Sequence, residues 1–196
     1  LQIDILDTHT LFTRADNPLP RDRVVSYSKF RTLAEREQIV EPLAAPVTLP
    51  PPICELALTI NIPDLSGYPA SECPYRGGED AAHAHLKSYF SGGYASSYKK
   101  TRNALEVQTT SSKFSPWLNS GCVSARRTLA ELRRFEAEHG ANDSSYWLFV
   151  ELLWREYFQW IAEQIGDKLF SLKGINANGG FKCFYPERFE KWCQGT

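Results

Sequence analysis

At 196 residues, 42% hydrophobic and 13% aromatic, the chain has enough apolar material for one packed domain, or for one domain and a piece of another. A formal net charge of −1 excludes a protein that binds polyanions by bulk charge, and leaves room for a local basic groove. The five cysteines, Cys54, Cys73, Cys122, Cys183 and Cys193, are odd in number, scattered, and form no C-x-x-C pair, which argues against a disulfide framework or a zinc site and for a reduced intracellular compartment.

Residues 1–12 alternate apolar Leu1, Ile3 and Ile5 with polar Gln2 and Asp4, the period-2 pattern of a strand with one buried face. From Asn17 to Pro69 the prolines cluster, including Pro50-Pro51-Pro52, with a single short helical candidate between Ser26 and Ile39. Such a stretch reads as an extended connector draped over a surface. After Gly77-Gly78 the chain turns helical. Residues 79–90 place Ala82, Leu86, Tyr89 and Phe90 at helical spacing, and Pro116 opens a short helix through Leu118. Residues 127–138 carry Leu129, Leu132 and Phe135 every three positions, an amphipathic pattern. Asn142, Asp143 or Ser144 can then cap a long helix, apolar nearly all round, that runs to about Gly166. The longest apolar run, around residues 146–153, is too short to span a bilayer, and Leu1 follows no charged leader region, so a soluble protein without membrane contact is expected. No methionine occurs anywhere, so residue 1 is read as something other than a translation start, and the chain as a fragment or processed product.

Three groups of residues could carry chemistry. Ser111, Ser112, Lys113, Phe114 and Ser115 put three hydroxyls and an ammonium just before the helix opened by Pro116, where unpaired backbone N–H groups favour an anion such as a diphosphate. The plainer alternative is a Ser-rich loop that caps its own helix. Residues 98–103 pack Lys99, Lys100 and Arg102 around Tyr98, which suits either a phosphate backbone or a solvated surface. On the long helix, Glu151, Trp154, Arg155 and Phe158 share one face. Glu151 can pair with Arg155 four residues on. It can instead line a cavity with Trp154, the acid bonding the edge of an extruded base while the indole stacks on it. His83 and His85 point to nearly opposite sides of their helix, so no shared metal is expected.

In this order, the strings GGE (77–79), YKKTRN (98–103), SSKFSPWL (111–118), GC (121–122) and NDSSYWLFVELLWREYF (142–158) resemble the cryptochrome/photolyase flavoproteins, and within them the DASH-type cryptochromes. A weaker match at Phe30-Arg31 and the Pro-rich stretch extends the resemblance over most of the chain. The resemblance implies a mainly α fold: the end of an α/β antenna domain at residues 1–15, an interdomain linker at 16–76, and the first part of the FAD-binding helical domain at 77–196. It implies FAD as cofactor, with a folate (MTHF) as one candidate antenna in the parent. Tyr98, residues Ser111 to Ser115 and Arg155 fall on the flavin side. Arg102, Glu151, Trp154, Tyr157 and Phe158 fall on the DNA and lesion side, where Glu151 and Trp154 face a pyrimidine dimer. No catalytic side chain is assigned, because light-excited reduced FAD passes the electron that splits the dimer.

The implied parent is a monomeric, blue-light-driven photolyase acting on cyclobutane pyrimidine dimers, preferentially in single-stranded DNA. A photoreceptor without repair activity and a truncated interaction module are the alternatives. The 196 residues alone are expected to be inactive, since half of the flavin cage is missing. Ala125 stands where the family usually has proline.

Overall fold

The computed structural model describes residues 8–44, 47–48, 74–104, 109–171 and 185–195. Among them there are seven α-helices and no strand: α1 (Tyr27–Ala34), α2 (Glu79–Ser91), α3 (Tyr98–Thr101), α4 (Ser115–Asn119), α5 (Ala125–His139), α6 (Asp143–Ile165) and α7 (Pro186–Gln194). The mainly α expectation holds. Residues 1–7 of the expected strand lie outside the described residues, and residues 8–12 form bends rather than a strand. Thr10 is buried and gives its hydroxyl to the carbonyl of Phe12 at 2.7 Å, a local bond that a strand ladder would not use. Most of the Pro-rich stretch, with Pro50 to Pro52, also lies outside the described residues.

Local signals set the helix ends. Ser26 caps α1 by accepting from Lys29 N, and Ser124 caps α5 by accepting from Arg127 N at 3.1 Å. Ala125 is the first residue of α5, the position where a proline ring fits a helix without cost, so alanine there keeps the helix start intact. For α6 the cap is Asn142: its Oδ1 accepts from Ser144 N at 2.7 Å and Ser145 N at 3.1 Å, while Ser145 Oγ accepts from Asn142 N at 3.0 Å. Gly166, with φ of 58°, ends α6 and starts a 3-10 turn, Gly166–Phe170. Among the described residues, no helix is long and apolar enough to cross a membrane.

The chain divides into two compact units. The first contains residues 1–16 and 38–152, and the second residues 17–37 and 153–196. In the first, α2 packs on α5 through Phe90 and Phe135, whose ring centroids lie 5.8 Å apart, with Phe114 against Tyr89 at 5.0 Å. Ser145 gives its hydroxyl to Glu136 at 2.8 Å, which ties the start of α6 to α5. In the second unit, α1 packs on the later turns of α6 through Phe30 and Tyr157. Far from being only a surface connector, residues 17–37 bury Leu19, Val25, Phe30 and Ala34. Helix α7 buries none of its side chains.

Candidate functional site

In the first unit, the Ser/Lys segment is a loop held in shape from below. His85 Nε2 donates to the carbonyl of Ser112 at 2.8 Å, and Thr101 Oγ1 donates to the carbonyl of Thr110 at 2.7 Å. Phe114 is buried and anchors the loop at its far end. His85 is itself packed, with Trp117 at 4.7 Å and Phe114 at 5.8 Å between ring centroids. Trp117 in turn donates its indole N–H to the carbonyl of Arg76 at 2.9 Å. The carbonyls of Thr110 and Ser112 are thus committed to the protein, whereas among the described residues the hydroxyls of Ser111, Ser112 and Ser115 make no hydrogen bond.

Lys113 has φ of 55°, the one positive value at a non-glycine position among the described residues. A left-handed lysine costs on the order of 1 kcal/mol and persists where its surroundings impose it. The loop does not cap its own helix: the residue at the cap position of α4 is Phe114, and no side chain bonds the helix start. Hydroxyls and an ammonium without partners among the described residues, beside a helix start, fit a diphosphate.

Tyr98 starts α3 and is 7% exposed. Burial pushes its hydroxyl up to about 12, helped by the negative charge of Glu151 and opposed by Arg102. The ring is therefore a neutral phenol at any physiological pH. Arg102 donates from Nη1 to Glu151 Oε1, and both side chains are about one-third exposed. This ion pair decides between the two readings of Glu151 at the level of its charge partner: the partner is Arg102, 49 positions away, and not Arg155 on the same helix. Two residues assigned to the DNA side, Arg102 and Glu151, are thereby brought together.

In the second unit, Trp154 lies flat against Tyr27, with ring centroids 3.4 Å apart and planes 9° apart, and also stacks with Phe158 at 5.5 Å. Tyr157 is turned inward and donates its hydroxyl to the carbonyl of Val25 at 2.8 Å. Phe158 remains 59% exposed. Burial lowers the pKa of Arg155, with the neighbouring Glu156 acting in the opposite direction.

Sequence reasoning took Glu151 as the acid embedded in the apolar helix. Glu156 is the fully buried one, at 0% exposure, and accepts from the Trp160 indole N–H at 2.6 Å. The i,i+4 spacing of Glu156 and Trp160 was the available signal. For His85 and Tyr27 no local signal existed, because their partners lie far along the chain. His83 sits 3.6 Å from Glu79, and no cluster of three metal-ligating side chains occurs among the described residues.

No family model matches the chain. A cryptochrome DASH from Idiomarina loihiensis is 43% identical over 195 residues, covering 96% of this chain and 42% of that protein. One from Vibrio parahaemolyticus is 43% identical over 172 residues, covering 87% and 38%. The crystal structure of a Synechocystis sp. PCC6803 cryptochrome matches with a TM-score of 0.70 and 35% identity, covering 96% of this chain and 41% of that one. The chain belongs to the cryptochrome/photolyase family. This cryptochrome-family chain spans about two fifths of the length of the relatives it matches.

Proposed function

We propose that this cryptochrome-family chain supplies the diphosphate seat and the lesion-facing helix of an FAD-dependent, blue-light-driven photolyase that acts on cyclobutane pyrimidine dimers, preferentially in single-stranded DNA. The observation that carries the reading is the Ser/Lys loop, with the carbonyls of Ser112 and the preceding Thr110 bonded inward by His85 and Thr101, and with its hydroxyls making no hydrogen bond among the described residues.

In this reading, Ser111, Ser112 and Ser115 donate to diphosphate oxygens, and Lys113 neutralises part of their charge. Tyr98 packs as a neutral ring on the flavin side, and Arg155 belongs to the same side. When bound, reduced flavin excited by blue light supplies the electron that opens the dimer. The chain's own residues bind and orient. Arg102 faces the DNA backbone, and Glu151, held in place by Arg102, offers its second carboxylate oxygen to a base edge. Trp154 and Phe158 provide the stacked aromatic surface beside which an extruded base can lie, and Tyr157 fixes α6 to the segment before α1. The division into antenna remnant, linker and partial helical domain at residues 1–15, 16–76 and 77–196 belongs to the same proposal, as do a folate antenna and a monomeric parent.

A second reading, a blue-light photoreceptor without repair, draws on one observation: one face of Trp154 is covered by Tyr27. A chimera separates the two. This chain is placed in the Idiomarina cryptochrome DASH in exchange for the matching segment, and the protein is assayed for flavin content and for blue-light splitting of a thymine dimer in a single-stranded oligonucleotide. Flavin with dimer splitting that is lost in Glu151→Ala supports the photolyase reading. Flavin that photoreduces without dimer splitting supports the photoreceptor, and a chimera that folds without flavin overturns both.

A further inference from the structure

One feature of the first unit exceeds these assignments. Lys99 on α3 and Arg102 at its C-terminal cap, three residues apart, both stand over the ring of Trp147, with the Lys99 ammonium 5.4 Å and the Arg102 guanidinium carbon 5.3 Å from its centroid. Trp147 is flanked on α6 by Asp143 and Glu151, four residues before and four after. Asp143 accepts from Lys99 at 3.1 Å, and Glu151 accepts from Arg102. The result is a ladder of acid, cation, indole, cation, acid. The Ser144 hydroxyl adds a fixed point by accepting from the Lys99 backbone N–H at 3.2 Å.

The two ends of this ladder differ. Glu151 is 37% exposed and Arg102 31%, so that pair is partly shielded from water. Asp143 is 89% exposed and Lys99 46%, so their pair stands in solvent, where an ion pair is worth little and is easily exchanged. A phosphate oxygen meeting Lys99 need only displace a carboxylate that water already surrounds. The indole is a neutral support that keeps both cations in place whichever anion they face.

The geometry points to Lys99 as a second phosphate ligand for single-stranded nucleic acid beside Arg102, with Trp147 as the positioning residue for both cations and Asp143 as a built-in competitor that the phosphate displaces. The inference rests on the DNA-binding part of the proposed function and goes beyond it by naming these three residues.

The test uses the full 196-residue chain and a fluorescent oligodeoxythymidylate, with affinity measured by anisotropy across a range of salt concentrations. Lys99→Ala is expected to reduce the slope of log affinity against log salt by about 0.7, the share of one phosphate on a single strand. Trp147→Leu is expected to weaken binding about threefold with the slope unchanged, and Trp147→Phe to restore most of it. Asp143→Asn is expected to tighten binding about threefold, a gain that no folding defect can imitate. If Arg102→Ala lowers the slope while Lys99→Ala and Asp143→Asn change nothing, the inference is overturned and the DNA reading stands. If the unaltered chain binds no oligonucleotide, or Arg102→Ala has no effect on it, the DNA reading falls and the inference falls with it.

Discussion

The two units of this chain solve different problems with the same long helix. The early turns of α6, in the first unit, meet charge: Asp143 and Glu151 hold cations of α3, and Ser145 bonds to Glu136. The later turns, in the second unit, meet aromatic rings, with Trp154 on Tyr27 and Tyr157 against Phe30, and carry a fully buried acid, Glu156, bonded by Trp160. The first arrangement keeps polar groups near solvent, where partners can be exchanged. The second fixes its polar atoms inside the protein, where exchange would be costly. The proposed phosphate contacts of Lys99 and Arg102 call for the former, and the proposed stacking surface of Trp154 and Phe158 for the latter.

The contrast is broken most strongly at Glu156. Glu156→Ala leaves the Trp160 N–H unpaired in a buried site and opens a cavity, and should cost about 3 kcal/mol in urea unfolding. Glu156→Gln keeps an acceptor and should cost about 1 kcal/mol. Equal, small losses for both would mean that the acid is not structurally committed.

Alkaline pH acts on the first unit. Burial raises the hydroxyls of Tyr89 and Tyr98 above the ordinary phenol value of 10.0, Tyr98 to about 12. The stability these neutral phenols confer is complete below pH 10.0 and is lost as pH rises, through about 12 in the case of Tyr98. The loss from Tyr98 should amount to about 2 kcal/mol, and Tyr98→Phe should flatten that part of the curve. A stability curve indifferent to Tyr98→Phe would contradict the assignment.

Smaller effects sharpen the picture. Tyr157→Phe removes only the bond to the Val25 carbonyl and should cost about 1 kcal/mol, with ring packing retained. Lys113→Gly relieves the left-handed backbone and should unfold about 1 kcal/mol less readily than Lys113→Ala, although both lose the ammonium. Equal stabilities would indicate that the loop carries no such strain.

Much of this architecture was legible because it is local. The spacing of Leu129, Leu132 and Phe135 gave α5, the Asn142 cap and Gly166 bounded α6, and Pro116 marked the start of α4. The Ser/Lys cluster was visible as composition, and its alternative as a self-capping loop was excluded only by the backbone at Phe114. What escaped depends on residues far apart in sequence. Glu151 finds Arg102 rather than the adjacent Arg155, His85 reaches Ser112 across 27 positions, and Tyr27 covers Trp154 from a segment read as connector. Periodicity reports which face of a helix is buried. It carries no information on which distant side chain arrives there.

The central claim is that the Ser/Lys loop is a diphosphate seat, and equilibrium dialysis of the Idiomarina chimera that carries this chain, against FAD and against riboflavin, tests it most directly. The account predicts that FAD is retained at least tenfold more tightly than riboflavin, which lacks phosphate, and that Lys113→Ala erases most of this difference. Equal retention of the two flavins, or no retention of FAD, would contradict it.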